Sequence, residues 1–172
     1  MTEHVRRIDR ILADEYTADI DGRSLDDLRV MERECLEVET EISYVRRLAQ
    51  GRIDIIEAER DRRATGGSLS DLIASLPTIL ADESGRGGPA NTRAQSVLAP
   101  ADGIEWNRGL EQLIDDATLA NLPTLSDDEL AATQVQLREL EHDSSQRRRS
   151  LHAVIDTIAH AVARRLVPDP AG

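Results

Sequence analysis

From Ser24 to Arg63 the chain runs without a proline and with a single glycine, Gly51. Through this stretch apolar side chains recur at Leu28, Met31, Cys35, Val38, Ile42, Val45 and Ala49, in alternating steps of three and four. Such a seam is buried only when a helix lies along a second helix with a matching stripe, so the pattern demands a partner. The partner is present further on. After Pro123, Ser126 opens a second run to about Leu166, where Pro168 and Pro170 finish the chain. Its seam is Leu130, Thr133, Leu137 and Leu140, then Ser144 and Arg147, then Leu151, Val154, Ile158 and Ala161.

The rest of the chain fits around these two runs. Residues 4–16 place Val5, Ile8, Ile11 and Leu12 at helical spacing, and Gly22 closes that stretch. Ser24 and Ser126 are N-caps, each with acidic residues in the first turn behind it. The Gly66-Gly67 pair stops the first long helix. Ser68 to about Leu76 predicts a shorter helix interrupted at Pro77. Residues 84–104 are rich in Gly, Ser, Pro and Ala and read as a flexible connection, with Gly85, Gly87 and Gly88 around Arg86 as linker. Glu105 to about Ala120 is helical again, with Trp106, Leu110, Leu113 and Ile114 on one side; Trp106 is either a core anchor or part of a partner surface.

These readings predict an all-α fold: an antiparallel two-helix coiled coil, or helical hairpin, with additional short helices and an internal duplication. The 172 residues form a single domain, 1–172. Within it lie a first long helix at 24–64, a connection with a short helix at 65–104, a short helix and turn at 105–125, and a second long helix at 126–167. The absence of Phe, with one Trp and two Tyr, leaves packing to Leu, Ile, Val and Ala.

The duplication is visible directly. A shift of 102 residues carries Ser24 onto Ser126, Leu28 onto Leu130 and Arg46-Arg47 onto Arg148-Arg149. It also carries Ile53-Asp54 onto Ile155-Asp156, Arg62-Arg63 onto Arg164-Arg165, and Ile8, Ile11 and Leu12 onto Leu110, Leu113 and Ile114. Fusing the two halves of an isologous dimer would produce such a repeat.

Inside each long helix sits a row of polar residues. The first holds Glu39, Ser43, Arg46, Gln50 and Asp54; the shift gives Glu141, Ser145, Arg148, His152 and Asp156. At about 100° per residue the five side chains occupy a stripe roughly 80° wide beside the seam. Both rows lie near the middle of their helices, so antiparallel pairing sets them side by side. An Arg fork donates to guanine O6 and N7 or to phosphate, and a carboxylate accepts from guanine N1–H and N2–H2. Ser and Gln bond phosphate, ribose or base edges, and His152 adds a group that can titrate near neutral pH. Ser144 and Arg147 break the second seam beside its row, which fits a ligand site, a register-setting device or solvent exposure equally.

The spacing Glu-x3-Ser-x2-Arg-x3-Gln-x3-Asp resembles the signature of the RsiG family, anti-sigma factors of actinobacteria that bind cyclic di-GMP. The first copy matches at all five positions and the second departs only at His152. The resemblance implies that both motifs, on antiparallel coiled-coil helices, together bind a dimer of cyclic di-GMP, two molecules in all, and that the bound form holds a WhiG-type sigma factor that acts in sporulation. It implies that Arg46 and Arg148 contact guanine or phosphate and that Asp54 and Asp156 read guanine edges. Glu39, Glu141, Ser43, Ser145, Gln50 and His152 then complete the site. It further implies a monomer that pairs with its sigma factor and regulates transcription.

Charge agrees with a protein partner. The formal net charge is −12, which argues against DNA or RNA binding and favours a basic partner. All 21 basic residues are Arg, which suits planar acceptors such as phosphate or equally reflects GC-rich coding. Cys35 is the one cysteine, and no apolar run is long enough to cross a bilayer, so a cytoplasmic, non-membrane location is expected. His4, His142 and His160 show no ligand spacing with Cys35, and no metal is expected. No Ser/His/Asp arrangement or phosphate loop is present, so no enzyme is expected. The rival reading is a ligand-free structural scaffold or adaptor, which accounts for the heptads, the acidity and the repeat but not for the matched polar rows.

Overall fold

The computed structural model describes residues 7–82 and 121–166, and every element in them is helical. The expectations placed on residues 4–6, on the connection at 84–104, on the helix at 105–120 with Trp106, and on the last residues from 167 lie outside the described part. The elements are α1 (Arg7–Ile11), α2 (Leu25–Thr65), α3 (Leu69–Asp82) and α4 (Asp127–Leu166), with 3-10 turns at Asp14–Tyr16, Ile20–Gly22 and Leu122–Thr124. No described helix is long and apolar enough to cross a membrane.

The chain divides into two compact units, Met1–Ser43 with Ser145–Gly172, and Tyr44–Ser144, and both long helices contribute to each. In the first unit the early part of α2 meets the late part of α4. Leu28, Met31, Cys35 and Val38 form one core with Leu151, Ile155, Ile158 and Ala161, closed by Ile11 of α1. In the second unit Ala49, Ile55 and Ile56 of α2 form a core with Leu130, Leu137 and Leu140 of α4, joined by Leu72 of α3 and by Leu122. Within each unit the two helix segments run antiparallel, as expected for a hairpin: Arg164 reaches Asp21 where Arg148 reaches Glu39, and Arg63 reaches Asp127 where Gln50 reaches Glu141. Burial of each such Leu or Ile contributes about 1.5–3 kcal/mol. Helices of this length gain most of their stability from that packing, not from propensity.

The helix ends follow from local chemistry. Each of α2, α3 and α4 begins with a capping box. The hydroxyls of Ser24, Ser68 and Ser126 accept from the backbone N–H of Asp27, Asp71 and Glu129, whose carboxylates accept in return from the serine N–H. At the end of α2, Gly66 takes φ +71, Gly67 N–H donates to the Arg62 carbonyl at 2.9 Å, and Gly66 N–H donates to that of Arg63 at 3.3 Å. Those two bonds are the Schellman pattern, and the left-handed φ is why a glycine stands there.

Two short elements differ from expectation. The N-terminal helix closes at Ile11 and gives way to 3-10 turns, with Tyr16 and Ile20 completing the core. Helix α3 continues through Pro77 to Asp82 instead of stopping near Leu76. Pro77 is exposed, so its ring faces solvent, and the carbonyl it leaves without a donor belongs to Ile73, itself 59% exposed and open to water. Leu72 and Leu76, packed into the core on the other face, hold the helix through the break.

Candidate functional site

The two polar rows fall into two clusters, one in each unit. In the first unit Glu39 is the centre. Its Oε1 accepts from Arg148 Nε at 2.8 Å and from its own helical neighbour Ser43 Oγ at 2.8 Å, and lies 3.4 Å from His152 Nε2. Glu39 and Ser43 come from α2, one turn apart; Arg148 and His152 come from α4, also one turn apart. Burial pushes the Glu39 carboxyl upward, but the bonds from Arg148, Ser43 and His152 outweigh it and hold it below the usual carboxylate range. It is therefore a carboxylate with several convergent donors at neutral pH.

In the second unit Glu141 occupies the equivalent place. Gln50 Nε2 donates to its Oε1 at 3.4 Å, and Arg46 Nη1 stands 3.7 Å from the same oxygen. The second distance is a Coulombic contact and not a hydrogen bond. Arg46 also carries a buried Nε with no hydrogen-bond partner. A buried guanidinium N–H without an acceptor is costly, so this donor can take one.

Each carboxylate thus engages the Arg and the Gln or His of the other copy. Sequence spacing placed the rows side by side, and the antiparallel register makes the pairing reciprocal. Asp54 is half-buried one turn beyond Gln50, and Asp156 is exposed one turn beyond His152. Ser145 is half-buried in the first unit. The seam break is accommodated locally: Ser144 is 6% exposed, and Arg147 stands 3.5 Å from Asp9 of α1.

Sequence reasoning missed the polar residues that continue the first seam. Arg52 and Glu59 lie on the same heptad stripe beyond Ala49, and both are buried, as is Gln134 of α4, which bonds Glu57 and Arg60. Glu59 is fully buried and receives Arg62 Nε at 2.6 Å, Arg62 Nη2 at 2.8 Å and Arg63 Nε at 2.6 Å. The signal was present: steps of three and four from Ala49 lead to Arg52, Ile56 and Glu59.

The fold and paired clusters define a helical-hairpin protein with a recurring polar cluster near the middle of its long helices. The RsiG-like family model matches residues 14–80 and 116–171, more than half of the chain, and the chain belongs to that family. Membership places it among regulators of the anti-sigma type. No curated protein matches the sequence.

Proposed function

We propose that this protein binds cyclic di-GMP through its two clusters and, in that state, holds a WhiG-type sigma factor away from transcription, without catalysing a reaction. The observation that carries the reading is the recurrence of one donor–acceptor set in both units: a carboxylate, an Arg, and an amide or imidazole converging on one oxygen. Arg46 and Arg148 would supply forks for phosphate or guanine edges, and Glu39 and Glu141 acceptors for guanine N–H groups. The partnerless Nε of Arg46 fits an incoming acceptor. Bound nucleotide regulates only by favouring one arrangement of the helices over others.

A ligand-free scaffold remains the rival, since the Arg148–Glu39 pair is also what flanking positions of a plain coiled coil make. Calorimetric titration with cyclic di-GMP, with GTP and cyclic di-AMP as controls, separates the two. The expected result is selective binding near two ligands per chain, lost in the double variant Arg46→Ala, Arg148→Ala with helicity kept. A protein that takes up no cyclic di-GMP, alone or mixed with the sigma factor, would be a scaffold.

A further inference from the structure

The two clusters differ at one position: Gln50 in the second unit, His152 in the first. Both side chains point at the carboxylate of their cluster, at 3.4 Å in each case, so the imidazole stands where the amide stands. The amide keeps one charge state at every pH. Imidazole is the side chain whose charge ordinarily changes between about pH 5 and pH 8. We infer that His152 makes the first-unit cluster a proton-linked nucleotide site, tightening as pH falls, while the Glu141–Arg46–Gln50 cluster binds without proton exchange. The inference rests on the nucleotide-binding reading above and adds that the two sites are unequal.

The argument is geometric. Arg148 Nε and His152 Nε2 converge on a single atom, Glu39 Oε1, at 2.8 and 3.4 Å. Any anionic group that engages Arg148 therefore comes close to the imidazole as well. Across from His152 on α2 stands Glu39; on its own helix Arg149 and Arg148 lie one turn before it and Asp156 one turn after. Asp9 of α1 is directed to Arg147. Two positive and two negative side chains thus surround the ring. A phosphodiester then decides the sign: a negative charge within about 4–6 Å favours the imidazolium.

Linkage gives the direction. If the nucleotide raises the proton affinity of His152, binding is strongest below the ring's ligand-free titration and loses that advantage as pH rises past its ligand-bound one. Each unit of displacement is about tenfold in affinity. With His152 partly open to solvent, a three- to tenfold weakening from about pH 6 to about pH 8 is expected.

The test is calorimetry of cyclic di-GMP binding in two buffers of different ionisation enthalpy, at about pH 6.5 and about pH 7.5. Net proton uptake is expected for the natural sequence. It disappears in His152→Gln at whatever affinity that variant keeps, and it grows in Gln50→His. Ring resonances of His152 followed by NMR should titrate to higher pH once nucleotide is added. Binding without proton uptake, or uptake that survives His152→Gln, would overturn the inference while leaving the nucleotide reading intact. Failure of the natural protein and of His152→Gln to bind at all would overturn both.

Discussion

At the scale of single residues, Glu59 shows how a charge can occupy a seam. It stands where a heptad calls for an apolar side chain and is fully buried, yet Arg62 and Arg63 donate three bonds to its carboxylate. The Arg62 hydrogen bond is the main cause that draws its carboxyl down to about 2, with burial opposing and Arg63 assisting. Removing the charge takes the anionic acceptor from Arg62 and Arg63, which keep carbonyl partners at Gly67, Leu122 and Leu125, so Glu59→Gln is expected to cost ~2 kcal/mol, the range of hydrogen bonds to a charged group. A urea midpoint lowered at constant slope checks it. The pH dependence follows in sign. A carboxyl depressed on folding contributes stability that is present above its ordinary range and lost as pH falls from about 4.5 toward about 2. Acid unfolding of the natural protein should show that loss, and Glu59→Gln should flatten it.

At the scale of elements, the long helices are held at their ends by devices of two kinds. The capping boxes at Ser24, Ser68 and Ser126 are local, and Ser126→Ala is expected to cost about 1 kcal/mol, read by the same urea titration. The second kind is a clasp. Arg63 Nη1 donates to the Leu125 carbonyl at 2.8 Å and Nη2 to the Leu122 carbonyl at 3.1 Å, so the end of α2 grips the turn that precedes α4. Arg165, at the end of α4, donates likewise to the Asp21 and Arg23 carbonyls before α2. The seam from Leu28 to Ala49, the serine caps and the Gly66 stop were legible, because each depends on spacing or on one residue's own conformational preference. The seam from Leu130 to Ala161 was legible in part, since the buried residues are Gln134 and Ile155 where spacing named Thr133 and Val154. The clasps were not legible as contacts. Arg62-Arg63 and Arg164-Arg165 were visible as a repeat, but the clasps of Arg63 and Arg165 end on backbone carbonyls, which no side-chain pattern records. The site shows the same division. Its residues were named from spacing, whereas the pairing of Glu39 with Arg148 and of Glu141 with Arg46 depended on helix register. Pro77 misled because its propensity is local, while Leu72 and Leu76 fix α3 by tertiary packing.

At the scale of the whole molecule, charge sets how a partner is met. The net charge is −12, yet Arg is abundant, and several of the described Arg side chains are engaged by acidic neighbours within their own unit. Arg7 pairs with Glu37, Arg148 with Glu39, Arg138 with Glu57 and Arg63 with Asp127. Acidic groups beyond those pairs remain at the surface, among them Asp14, Glu15, Asp19, Asp128 and Glu139. A basic, DNA-facing surface of a sigma factor would be drawn to this excess before any contact forms, which acts on association more than on the final complex. Screening shortens the reach of that field from about 14 Å near 50 mM salt to about 6 Å near 300 mM. The association rate with the sigma factor, followed by stopped flow across that range, is therefore expected to fall by roughly tenfold or more, with the dissociation rate changing much less. A rate of association indifferent to salt, with salt acting on dissociation instead, would mean that the charges meet only in the closed interface and that apolar contacts guide the encounter.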